Sequence, residues 1–300
     1  MQTFLPYPDF AASAAVLDSP RLGKQRVETL QILRALVLPD YGWRNHPAVI
    51  MWRGRVPALV GYGLTCVAEW TRRGFADSTA AQIVEFAPQT AELTQDELAA
   101  ADLLPSWLGN PALHTSHRSR LVAKDRGFYR ELFPGVDEEV EYLWPGADQL
   151  PATAAPDYPT GSSPVWVVRP ESAAALGGAL AVGVGAGPGL EQDLTGLDLP
   201  ALREMVEPAL RRRSARPLAA LVALVGEMCR AEEVAVPIEN GRRLLLGEIV
   251  GDYAFAAGAE NGLRHSRPVR WERVILRSSI VPPAALQDVR PLFRVRRTHD

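Results

Sequence analysis

Arg21, Lys24, Gln25 and Glu28 fall at i, i+3, i+4 and i+7, so a helix would set them one above another on a single face. A cationic face with one carboxylate set in it suits holding a polyanion while keeping an acid near its sugar or base. Leu22, Leu30, Leu33 and Val37 lie on the opposite face and give the helix a side to bury. A second stripe, His117, Arg120 and Lys124, repeats the layout at i, i+3 and i+7. If the stripes face each other they enclose a cationic cleft holding Glu28 and an imidazole. If they do not, both are ordinary solvated faces. The two lysines of the sequence, Lys24 and Lys124, sit one in each stripe.

YGWRNHPAVIMW supplies a third candidate. There Arg44, Asn45 and His46 form a turn before a proline-started helix, between Trp43 and Trp52, whose rings could stack on a base. His46 reads equally well as a structural histidine.

The elements that would position these groups are legible. Asp18 or Ser19 can cap a helix over 21–37 with Pro20 in its first turn. A second helix spans 56–73 and stops at Gly74. A third opens at Asn110-Pro111 and runs to about Lys124, followed by an aromatic turn in FYRELF. Residues 144–164, WPGADQLPATAAPDYPTGSSP, have no apolar period and read as a linker. Beyond it, PVWVVRP, LLLGEIVGDYAF and RPVRWERVIL read as strands. LPALREMVEPALRRR and PLAALVALVGEMCRA between them read as helices. The pattern predicts an α+β protein of two domains: helical over 1–146, a linker over 147–163, and a mixed β-barrel with inserted helices over 164–297.

Composition narrows the classes. A chain of 300 residues, 47% hydrophobic, can bury two cores. No apolar run reaches the length of a membrane span, and MQTFLPYPDF lacks the pattern of a signal peptide, so a cytoplasmic protein is expected. Cys66 and Cys229 belong to no ligand-spaced cluster; buried thiols are expected, with no metal and no cofactor. The net charge of −3 counts against a broadly basic nucleic-acid binder. The balance is uneven, however: residues 1–80 hold nine Lys/Arg against six Asp/Glu, and 81–150 hold five against twelve. A local basic patch is compatible with that.

The RLGKQRVE helix with its glutamate, HPAVIMW followed by EWTRRGFAD, and HRSRLVAKDRGFY give residues 1–133 an order and spacing that resemble the pyrimidine-dimer DNA glycosylases of the endonuclease V type. The resemblance implies an all-α domain that cuts the glycosidic bond of a damaged pyrimidine in duplex DNA. An α-amine forms an imine at the sugar while a helix glutamate stabilises the sugar cation. By position the glutamate is Glu28, the family's basic pair is Arg120 and Lys124, and its aromatic segment is Phe128 and Tyr129. The family exposes the amine of a small residue after methionine removal. Here the bulky Gln2 keeps Met1 in place, so either the Met1 amine is the candidate nucleophile or the imine chemistry, and strand cleavage with it, is lost and water attacks instead. Glu28 and Met1 are thus the expected catalytic groups, with His46 and His117 positioning the base or relaying a proton. Arg21, Lys24, Gln25, Arg44, Arg120, Lys124 and Tyr129 are expected to contact the nucleic acid. The chemistry is coherent: a carboxylate stabilises the developing sugar cation, more so where water is excluded, and α-amines as a class are neutral more often than lysines.

PVWVVRP, LLLGEIVGDYAF and GLRHSRPVRWERVIL resemble the EVE-like branch of the PUA superfamily, which implies a pocket for a modified base lined by Trp166, His265, Arg267 and Trp271. A scaffold role remains beside it, with His265 merely bonding a strand end. Together the resemblances imply a glycosylase for damaged or modified pyrimidines, with a second domain that recognises altered bases and, by extension, a part in defence against modified phage DNA. The alternative is a non-enzymatic reader of modified nucleic acid.

Overall fold

In a computed structural model, residues 1–147, 159–169, 181–184, 192–210, 215–258 and 264–299 are described. The chain divides into two compact units, Met1–Asp157 and Tyr158–Asp300, a division that falls inside the Pro-rich stretch 144–164. Residues 148–158 of the expected linker lie outside the described residues.

The first unit is helical among its described residues: α1 (Phe10–Ala15), α2 (Ser19–Val37), α3 (Pro47–Ile50), α4 (Val56–Arg72), α5 (Ala80–Val84), α6 (Gln95–Ala100), α7 (Pro111–Lys124) and α8 (Arg126–Leu132). Side chains satisfy the free amides at several starts. Asp18 accepts from the Arg21 amide at the head of α2, His46 from Ala48 at α3, and Asn110 from Ala112 at α7. The segment read as an aromatic turn is α8 itself, capped by Asp125. α2 buries Leu22, Gln25, Thr29, Leu30, Ile32, Leu33 and Ala35. It packs on α4, where Gly63 permits close approach: a Cβ there would lie 2.6 Å from Thr29 Cγ2.

The second unit is built on a mixed sheet. Its strands are β1 (Ser163–Val168), β2 (Ala181–Val184), β3 (Glu233–Ile238), β4 (Arg243–Ile249), β5 (Ala254–Phe255), β6 (His265–Leu276), β7 (Ile280–Val281) and β8 (Leu292–Arg297). They run in the order β2-β6-β4-β3-β1-β8-β7, with β5 paired to β6; β1 and β3 are parallel. Among the described residues the path is open, so the barrel expected from sequence is an open mixed sheet there. The period-2 alternation of β1 divides the core. Trp166 and Val168 face a cluster with Leu202, Leu221 and Leu224, while Val165 and Val167 face another with Leu244, Ile275 and Phe293. The first cluster includes residues of α9 (Leu199–Leu210) and α10 (Ala215–Val222), whose chain continues into a π-turn over Ala223–Glu227. Pro170, Arg211–Arg213, Gly262 and Leu263, which belong to segments singled out in the sequence, lie outside the described residues.

No described helix is long and apolar enough to cross a membrane, and no cluster of metal-ligating side chains occurs among the described residues. Cys66 is buried as expected. Cys229 is exposed, because it follows the π-turn on the surface of the second unit.

Candidate active site

Residues 2–5 run into the helical unit as an extended segment that no strand pairs with, so their backbone groups must find side chains. They do. Glu28 accepts a hydrogen bond from the Gln2 amide at 3.0 Å, and Gln25 Oε1 accepts from Phe4 at 2.8 Å. His117 Nδ1 accepts from the Leu5 amide at 2.9 Å. The Tyr142 hydroxyl donates to Thr3 O at 2.9 Å. The Tyr62 hydroxyl lies 2.9 Å from Phe4 O and 2.8 Å from Gln25 Oε1, two acceptors for its one proton. His114 accepts from the Gly109 amide through Nε2, which leaves the Nδ1 proton for Leu5 O at 2.8 Å. Thr3, Phe4 and Leu5 are buried in consequence.

This threading brings Glu28, on α2, to the first residues of the sequence. Lys124, at the end of α7, lies 5.9 Å from the centroid of the Phe4 ring and shares the field of Arg21, Lys24, Arg120 and Glu28. The two polar stripes therefore meet. Partial burial and the cations Arg120, Arg21 and Lys24 lower the Lys124 ammonium, while Glu28 opposes them. Lys24 and Arg120 are exposed and hold no hydrogen bond or ion pair with a described residue. Among the described residues no carboxylate is paired with either cation.

An aromatic row flanks the same region. Trp43 meets His46 at 5.7 Å, His46 meets Trp144 at 5.8 Å, and Trp144 meets Tyr142 at 4.5 Å between ring centroids. Tyr142 stacks on His117 at 4.4 Å. His46 Nδ1 accepts from the Ala48 amide, so the neutral ring carries its proton on Nε2. Desolvation lowers the His46 pKa, the amino-terminal charge lowers it further, and Glu28 pulls the other way. The imidazole that shares the field of Glu28 and the first amine is thus His46.

His117 has another task. It is fully buried and driven down to about 3, first by burial and then by His114, so it stays neutral and serves as an acceptor for the Leu5 amide. It cannot relay protons near neutrality. Gln25 is likewise buried and occupied by Phe4 and Tyr62, which removes it from the nucleic-acid surface. Arg21 pairs with Asp18 and Asp125 and donates to Lys124 O at 3.0 Å, tying α2 to the end of α7. Tyr129 is buried with its hydroxyl accepting from the Asp18 amide at 3.0 Å, and burial pushes the phenol up to about 12. Trp52 is enclosed against Tyr62 and Trp107, out of reach of any base. Arg44 is exposed and donates to Pro39 O. Phe128 is exposed beside Tyr129. Sequence reasoning missed Tyr62, His114, Tyr142 and Trp144. Trp144 was placed at the start of the linker, although the aromatic pair in EYLW was the available signal.

In the second unit the four expected reader residues take up packing positions. Trp166 is buried and donates through Nε1 to Glu232 at 2.8 Å. His265 is buried with Nδ1 2.8 Å from the Tyr253 hydroxyl. Arg267 is nearly buried and donates to Leu224 O and Val225 O at the π-turn. Trp271 packs on the same core cluster as Trp166.

Comparison with known proteins bears on the first unit. A family model described as pyrimidine dimer DNA glycosylase matches residues 1–83. The matched segment contains Glu28, Trp43, His46 and Tyr62, while α7 lies beyond it. No curated protein and no solved structure matches the chain.

Proposed function

We propose that the helical unit is a DNA glycosylase acting on damaged or modified pyrimidines in duplex DNA. One observation carries the reading: the Glu28 carboxylate holds the Gln2 amide at 3.0 Å, inside a region of unneutralised cations. The family match over residues 1–83 supports the same chemistry. Lys24, Arg120 and Lys124 hold phosphates as cations do. Glu28 stabilises the positive charge that develops on the sugar as the C1′–N bond lengthens. The Met1 amine attacks C1′, its lone pair forming the new bond while the glycosidic electron pair leaves with the base. His46 donates a hydrogen bond through Nε2 to the departing pyrimidine. The amine gives up both protons, one to the departing pyrimidine and one to the ring oxygen as the sugar opens, and an imine remains.

The finer reading, in which the second unit recognises an altered base, rests on the expected fold. The packing positions of Trp166, His265 and Arg267 argue against these side chains as its reader. A role in phage defence rests on the pairing of domains alone.

The test is direct. The protein is incubated with duplexes containing pyrimidine dimers or hydroxymethylated and glucosylated pyrimidines, and released bases are identified by mass spectrometry. Borohydride is added in parallel to trap an imine. Peptide mapping then assigns the adduct among the Met1 amine, Lys24 and Lys124. Release of no base from any of these substrates would leave a nucleic-acid binder. An adduct on a lysine would move the nucleophile off Met1, and intact mass shows whether Met1 is retained.

A further inference from the structure

The least economical side chain of the helical unit is Trp43. It is 68% exposed, the most of any large apolar residue described, and its backbone adopts φ +71°, a conformation that side chains with a Cβ avoid. The loop does not leave it there loosely. The His46 amide bonds back to Trp43 O at 2.8 Å, Arg44 donates to Pro39 O, and Arg53 donates to Arg44 O at 2.9 Å. A fixed loop thus holds an indole out in water on a disfavoured backbone. Burial would favour the opposite arrangement, and among the described residues nothing covers the indole.

The surroundings define that partner. The described ring contact of Trp43 is T-shaped, at 73° to His46, and His46 is again edge-to-face, at 90°, with Trp144. No ring is stacked face to face on Trp43 among the described residues. His46 brings a hydrogen-bond donor at Nε2, suited to a carbonyl oxygen. It shares the field of Glu28 and the first amine, with the unpaired cations of the polar stripes around the same carboxylate. A flat ring bearing a carbonyl, attached to a phosphate backbone, matches all three features.

We propose that Trp43, His46 and Trp144 form a stacking subsite for a nucleobase extruded from the duplex beside the reacting sugar. The inference rests on the glycosylase reading for its location and adds the side chains that hold the base. Trp43 supplies the stacking face, Trp144 braces His46 from the other side, and His46 Nε2 donates to a pyrimidine carbonyl. The occupant is either the damaged base or its opposite partner, two sources of the same flat heterocycle.

The experiment uses the full chain carrying Glu28→Gln, which retains an oxygen to hold the Gln2 amide but lacks the charge. Affinity is measured for a duplex with a mispaired thymine, for the same duplex with a tetrahydrofuran abasic analogue in its place, and for one with the analogue opposite. The base-bearing duplex is expected to bind about 10-fold more tightly than the one missing the occupant. Whichever analogue position removes the preference identifies the occupant. Adding Trp43→Ala should erase the preference, and Trp43→Phe should restore most of it. Equal weakening on all three duplexes, or an unchanged preference, overturns the subsite. If the parent protein releases no base from any damaged duplex while the Trp43-dependent preference persists, the glycosylase reading fails and the subsite stands. Base release with a preference indifferent to Trp43 gives the converse.

Discussion

In the helical unit, Lys24, Arg120 and Trp43 reach the surface with no described residue paired to their charge or stacked on their ring face, and they gather around a carboxylate held at the first residues. In the sheet unit, Trp166, His265 and Arg267 are the same kinds of side chain, yet each closes a structural need: a carboxylate, a phenol, two carbonyls at a helix end. Residue type alone would nominate both sets. What separates them is whether the hydrogen bonds and faces are already used. Groups left unsatisfied in a folded chain are available to a ligand; groups that fill one another are architecture.

The sharpest way to break this contrast is Glu28→Gln. Base release should fall by about 10²–10³-fold, the scale of losing one preorganised electrostatic partner of a transition state, while duplex affinity changes little. Comparable loss of binding would make Glu28 structural and erase the difference between the units. Next is His117→Leu, which leaves the Leu5 amide buried and unpaired and should cost about 1–3 kcal/mol in thermal or denaturant unfolding. Its acid behaviour follows from the same burial. The unfolded chain binds a proton on this histidine below about 6.5, but the folded one only near 3. Between those values unfolding takes up a proton, so stability falls as pH drops through that window, by up to ~1.4 kcal/mol per pH unit. The leucine variant should show a correspondingly flatter acid limb.

Arg267→Ala probes the other side. Stripping donors from Leu224 O and Val225 O should lower the stability of the sheet unit by about 1–3 kcal/mol and leave duplex binding unchanged. Selective loss of preference for modified DNA at constant melting temperature would make Arg267 a reader after all. The smallest effect belongs to Lys24→Ala combined with Arg120→Ala. Affinity should weaken a few-fold at low salt, and the slope of log affinity against log salt should shrink by about 2, with melting unaffected. An unchanged slope would show that these cations face no phosphate.

Much of the helical unit could be read from local chemistry. Asp18, Pro20, Asn110 and Pro111 announce helix starts because capping is a near-neighbour interaction, and α2 and α7 follow. The meeting of their polar stripes does not follow from sequence, since helix period fixes a face but not what that face opposes. Both faces carry residues whose type misleads: Gln25 reads as a nucleic-acid contact and His117 as a catalytic imidazole. Only the threading of residues 2–5 reveals them as acceptors for buried amides. In the sheet unit, β3 and β8 escaped notice: Pro237 interrupts the apolar run of one, and arginines alternate through the other. Arg294 and Arg297 pair with Glu232 and Glu233, and Arg296 bonds Ser162, partners far away in sequence.

The anchors of residues 2–5 come late in the chain: His117 lies 112 positions after the Leu5 amide and Tyr142 lies 139 positions after the Thr3 carbonyl that they secure. At about 5–20 residues per second, the segment waits on the order of ten seconds before its slot exists. During nascent-chain synthesis the pieces of the candidate site stay apart, and they come together only when the last aromatic tether has emerged. Completion of the slot is thereby timed by the far end of the helical unit itself.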